Sequence, residues 1–65
     1  AGPVDLAALH ARLAPFGEFR LSPLLLRGAL RTERLDLSIF PDGRAIIATP
    51  DPARARAIYA KYVGA

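Results

Sequence analysis

The side chains able to do chemistry in this sequence are few, and their spacing does not assemble a catalytic site. The chain has one histidine, His10, and no cysteine. Thiolate zinc sites, disulfides and cysteine nucleophiles are therefore excluded, and one imidazole cannot hold a metal alone. Ser22 and Ser38 fall on other segments than His10, so neither has a general base within its own stretch of chain. The carboxylates Asp5, Glu18, Glu33, Asp36, Asp42 and Asp51 stand singly, at caps and turns, rather than as an acid/base pair. Gly17, Gly28, Gly43 and Gly64 are isolated, so no loop cradles a phosphate. No catalytic residue, cofactor site or metal site is assigned to this chain.

The remaining reactive inventory is positive charge. Nine Lys and Arg against six Asp and Glu give a net charge of +3, and every base except Lys61 is arginine. Arginine suits phosphate and carboxylate alike, so a small nucleic-acid-binding module using Arg27, Arg44, Arg54 and Arg56 is one reading. The acids are interleaved with the bases, which dilutes any single-sign patch. Arg54 and Arg56 also stand two apart in a helical pattern and do not share a face. Nucleic acid is accordingly the alternative, not the leading partner.

The elements that carry these residues read helix, strands, helix. Asp5 is an N-cap, Val4 and Leu9 are spaced as a hydrophobic staple, and Leu6, Leu9, Leu13 and Phe16 form one apolar stripe. Pro15 and Gly17 end that helix, Gly17 being free to adopt positive φ. The period then changes to two. Phe19 and Leu21 alternate with Glu18 and Arg20, and Pro23 marks an edge, bulge or strand start. Leu24, Leu26 and Leu30 are expected on one face, with Arg27, Ala29 and Arg31 on the other and Gly28 at a bulge or a close backbone approach. Arg31 to Arg34 is a polar break, followed by Leu35, Leu37 and Ile39 in alternation with Asp36 and Ser38.

Phe40-Pro41-Asp42-Gly43-Arg44 is the sharpest local signal: a three-residue hairpin loop with glycine in the left-handed position, returning through Ala45 to Ala48. Asp51 and Pro52 then open a second helix with Ala55, Ile58, Tyr59, Tyr62 and Val63 on its buried face, and Gly64 stops it. The two tyrosines are read as core residues with hydroxyls at the rim.

Sixty-five residues allow one small domain, 1–65. The expected class is α+β: a two-layer sandwich, with a three- to four-stranded antiparallel meander between an N-terminal and a C-terminal helix. No apolar run nears the ~20 residues of a membrane span, and Ala1-Gly2-Pro3 lacks a leader pattern, so a cytoplasmic protein is expected. With Leu35, Leu37, Ile39 and Ile47 facing the helices, Phe40 and Ile46 point to the opposite side. Leu25 and Ala29 join them there, and Arg27, Arg44 and Asp36 edge the patch. Phe40, Ile46, Arg27 and Arg44 are thus the candidate partner-binding face, with Pro41, Asp42 and Gly43 as its structural turn. A homodimer joined sheet to sheet through Phe40 and Ile46 is a further possibility.

Leu37-Ser38-Ile39-Phe40-Pro41-Asp42-Gly43-Arg44-Ala45-Ile46-Ile47, then Asp51-Pro52-Ala53-Arg54-Ala55-Arg56 and Ile58-Tyr59-Ala60-Lys61-Tyr62-Val63-Gly64, resemble the C-terminal tail of bacterial ThiF/MoeB/HesA-type adenylyltransferases. These ubiquitin-activating-like enzymes adenylate the C-terminal glycine of small sulfur-carrier proteins. The resemblance extends less distinctively upstream, through Asp5 to Leu13, Gly17-Glu18 and Leu24 to Arg27. It implies an accessory domain whose partners are the adenylation domain, the ubiquitin-like sulfur carrier, or both. The family's nucleotide loop, zinc cysteines and catalytic residues have no counterpart here, so ATP and zinc would belong to the adenylation domain. The pathway implied is thiamine, molybdopterin or thiolated-nucleoside synthesis.

Overall fold

The computed structural model describes residues 3–64. Ala1 and Gly2, part of the segment without a leader pattern, lie outside them, as does Ala65. The order is α1 (Leu6–Leu13), β1 (Gly17–Leu21), β2 (Leu26–Leu30), β3 (Leu35–Ile39), β4 (Ala45–Ile47) and α2 (Pro52–Tyr62), with a single 3-10 turn, Ala14–Phe16, after α1. The strands form one antiparallel sheet in sequence order. The class is α+β, with four strands between the helices.

Local chemistry starts both helices. An Asp5 carboxylate oxygen accepts the amide protons of Ala7 and Ala8, both at 3.1 Å, which stabilises α1 by about 1 kcal/mol. Asp51 accepts the Ala53 amide at 3.0 Å, and Pro52 stands at the first helical position, where no amide is needed. Leu6, Leu9 and Leu13 of α1 and Ile58 and Tyr62 of α2 meet Leu26, Leu30, Leu35, Leu37 and Ile39 in one core. These strand residues share one face of the sheet, so both helices lie on that face. Each fully buried leucine contributes roughly 1.5–3 kcal/mol of hydrophobic stabilisation.

Phe16 and Leu24 depart from the expected pattern. Phe16 does not continue the α1 stripe. Pro15 tightens the chain into the 3-10 turn, which leaves Phe16 38% exposed with its ring edge-on to Tyr62 at 5.3 Å. Gly17 leaves its freedom unused: it is extended, with φ 176°, and opens β1 one residue before the polar alternation. Leu24 does not share the face of Leu26 and Leu30. The Ser22 hydroxyl accepts the amide protons of Leu24 and Leu25 and donates to the Leu25 carbonyl, closing a loop that leaves Leu24 77% exposed. Arg31, one residue past the end of β2, keeps to the outer side with Ala29, and its guanidinium meets Glu18 there at 3.3 Å.

Gly28 takes the close-approach reading, since the β1–β2–β3 ladder runs through it without a bulge. A Cβ there would lie 2.1 Å from the Glu18 carbonyl oxygen and 2.7 Å from the Phe19 ring. Tyr62 is buried, with its hydroxyl at the rim, 2.9 Å from the Thr32 hydroxyl and 3.0 Å from the Glu33 carboxylate. Arg12 of α1 donates to the Tyr62 carbonyl at 3.0 Å, tying α1 to the end of α2. Among the described residues no helix is long and apolar enough to cross a membrane.

Candidate docking face

The hairpin that carries the candidate residues is held by its own backbone. Gly43 donates its amide to the Phe40 carbonyl at 3.0 Å, and Phe40 donates to the Arg44 carbonyl at 2.8 Å. Gly43 has φ 94°, the left-handed conformation that glycine adopts without a Cβ clash. The turn sets the register that follows, pairing Ser38 with Ile46 and Leu37 with Ile47. That pairing matches the alternation expected of the strands.

Alternation then decides which side chains leave the helix-covered side. Ile39 and Leu37 are buried, so Ser38 and Phe40 point away, and Ile46, directly across from Ser38, is 63% exposed. Across β2, Ser38 faces Arg27 and Asp36 faces Ala29. The outer surface thus carries a half-buried Phe40 and the exposed Ile46, while the half-buried Leu25 belongs to the loop closed by Ser22. Arg44 lies over the Phe40 ring, its guanidinium carbon 5.4 Å from the centroid. This contact adds a cation–π attraction and positions the guanidinium at the patch border.

Arg44 is also tied to the turn. Its Nε donates to Asp42 at 2.7 Å, and its backbone amide donates to the other Asp42 carboxylate oxygen at 3.0 Å. The Arg44 amide, then the Arg44 side chain, stabilise the ionised form of Asp42 and hold its carboxyl below the usual value. Asp42 is fully spent on this turn.

Arg20 belongs with these residues and was not singled out by the sequence. It stands directly opposite Arg27 in the β1–β2 ladder, where like charges repel. Neither has an ion-pair partner among the described residues, whereas Arg31, Arg44, Arg54 and Lys61 each have one. The alternation of β1 carries a signal for Arg20, but its pairing depends on the four-residue loop closed by Ser22, whose length no motif announces.

The arginines of the nucleic-acid reading are divided between two sides. Arg27 and Arg44 lie on the outer sheet surface, whereas Arg54 and Arg56 are on α2, which covers the other side. Arg54 is bound at the β2–β3 turn, donating to the Glu33 carbonyl. Among the described residues no three of His, Cys, Asp and Glu come together as metal ligands.

Fold and surface together define an α+β domain with a four-stranded meander whose outer side is partly apolar and edged by arginine. No family model matches the sequence, and no curated protein or solved structure matches it either.

Proposed function

We propose that this chain is a non-catalytic docking domain of the ThiF/MoeB/HesA type, serving an adenylation domain that activates a ubiquitin-like sulfur-carrier protein. The observation that carries the docking role is Ile46. It is 63% exposed beside Phe40, on a side of the sheet that neither helix covers. Burying these side chains against a partner removes apolar surface from water, and Arg20, Arg27 and Arg44 favour an acidic counterpart. The sequence around the hairpin and α2, with its resemblance to the family's tail, supports the choice of partner. Adenylation itself, with its ATP and zinc, belongs to the catalytic domain.

The test is to titrate the chain with a purified sulfur-carrier protein and, separately, with a ThiF-type adenylation domain. One of them should bind, and Phe40→Asp or Ile46→Asp should weaken binding at least about tenfold while the amide spectrum stays native. The chain alone should catalyse no ATP–pyrophosphate exchange. Absence of binding to both proteins would overturn the reading. Binding to tRNA that collapses steeply with added salt would favour the nucleic-acid alternative.

A further inference from the structure

The β1 edge has a property separate from the outer surface. In an antiparallel ladder, alternate residues turn both backbone polar groups toward one neighbour. The direction can be read from the ends of the β1–β2 pair: Arg31 donates to the Phe16 carbonyl at 2.8 Å, and Ser22 donates to the Leu25 carbonyl at 3.0 Å. Phe16 and Ser22 therefore bond toward β2, as do Glu18 and Arg20 between them. Gly17, Phe19 and Leu21 turn their N–H and C=O groups away from β2, where the sheet order places no further strand; Gly17 is buried there, so Phe19 and Leu21 are the residues open to a new neighbour.

Edges of this kind are normally blunted by charged side chains, proline, a bulge, extreme shortness or cover; β1 carries Glu18 and Arg20, of opposite sign, which repel most edges but complement a strand with the same pair reversed. The other edge is short, since β4 has three residues and its Ile47 carbonyl is already taken by the Thr49 amide at 2.8 Å. By contrast β1 is five residues long, and Leu21, at its end, is 43% exposed.

We propose that β1 pairs with β1 of a second copy of this chain, antiparallel and centred on Phe19. Three features of the strand fit this partner. First, centring on Phe19 sets outward-facing groups opposite one another: Phe19 meets Phe19 of the second copy, and Gly17 meets Leu21 in both directions. The Phe19 pair exchanges two hydrogen bonds, and it is the pair formed between accessible residues on both copies. Second, the same register sets Glu18 opposite Arg20 of the second copy, twice by symmetry. Third, sliding the strands by two residues either way opposes Arg20 to Arg20 or Glu18 to Glu18, so charge selects the register. The exposed Leu21 side chain comes to lie over Gly17 of the second copy, which has no side chain to obstruct it. The two sheets become one of eight strands. This contact leaves Phe40 and Ile46 uncovered, and it does not depend on the docking reading.

Sedimentation and amide exchange on the full chain test the pairing. The wild type should dimerise in a concentration-dependent manner, with the Phe19 and Leu21 amides protected in the dimer. Arg20→Glu should weaken the dimer about tenfold or more, because both cross-copy pairs become repulsive, the summed change reaching the tenfold scale. The fold should tolerate this change, since Arg20→Glu replaces a repulsion with Arg27 by an attraction. Glu18→Arg should weaken self-association similarly. An equimolar mixture of the two variants should restore dimers, because each then offers what the other lacks. A wild type that stays monomeric up to about 1 mM, the weak limit of specific association, would overturn the proposal. So would dimers that ignore both substitutions, or that respond to Ile46→Asp instead, which would place the contact on the sheet surface.

Discussion

The two tight turns of the sheet reach the same end by opposite means. The β3–β4 turn contains its own instructions. Pro41 presets φ, Asp42 binds the Arg44 amide and guanidinium, and Gly43 supplies the left-handed residue. The β2–β3 turn, Arg31 to Arg34, has neither proline nor glycine, and Arg34 itself adopts φ 59°. Its backbone closes with longer bonds, Glu33 donating to the Leu30 carbonyl at 3.2 Å and Arg34 to the Arg31 carbonyl at 3.3 Å, and distant groups brace it. The Phe16 carbonyl accepts from Arg31 and Thr32, the Tyr62 hydroxyl meets Thr32 and Glu33, and Arg54 and Lys61 reach the Glu33 carboxylate at 3.9 and 3.8 Å. One turn directs the chain around it; the other is bent into place by the helix that packs beside it.

That contrast can be broken by three substitutions of decreasing effect. Gly43→Val puts a β-branched residue at φ 94° and should destabilise the fold by about 2–3 kcal/mol, read by denaturant titration. A smaller loss than that of the next variant would mean that the first turn is not self-determined. Tyr62→Phe removes the hydroxyl shared by Thr32 and Glu33 and should cost about 1–2 kcal/mol. Amide exchange should quicken at Thr32 to Arg34 and not at Gly43. Equal quickening at both turns would erase the distinction. Arg34→Gly should act in the opposite direction. It relieves the left-handed strain of a residue with a Cβ and should stabilise by up to about 1 kcal/mol, less the entropy of glycine in the unfolded chain. A net loss would show that the Arg34 side-chain contacts and the entropy of glycine together outweigh the backbone strain.

The same contrast explains what could be read from the sequence. Both N-caps, the β3–β4 register and the outward placement of Phe40 and Ile46 follow from groups a few residues apart, and all were legible. Arg20 against Arg27, the turn at Arg34 and the exposure of Leu24 depend on contacts across the fold or on a loop built around one serine hydroxyl. Single residues there carry no spacing to recognise. Phe16 shows the boundary between the two cases: its spacing from Leu13 fits the stripe, but Pro15 between them changes the helix that the spacing assumes.

The first turn also receives both ends of the described chain. Val4 donates its amide to the Pro41 carbonyl at 2.9 Å, and the Tyr59 hydroxyl donates to the Gly43 carbonyl at 2.6 Å. These acceptors exist in the right place only once the turn is closed. An opening of Pro41 to Gly43 therefore releases the segment before α1 and the side of α2 in one event. The smallest loop of the sheet acts as a latch, and the two segments farthest apart in sequence come undone together.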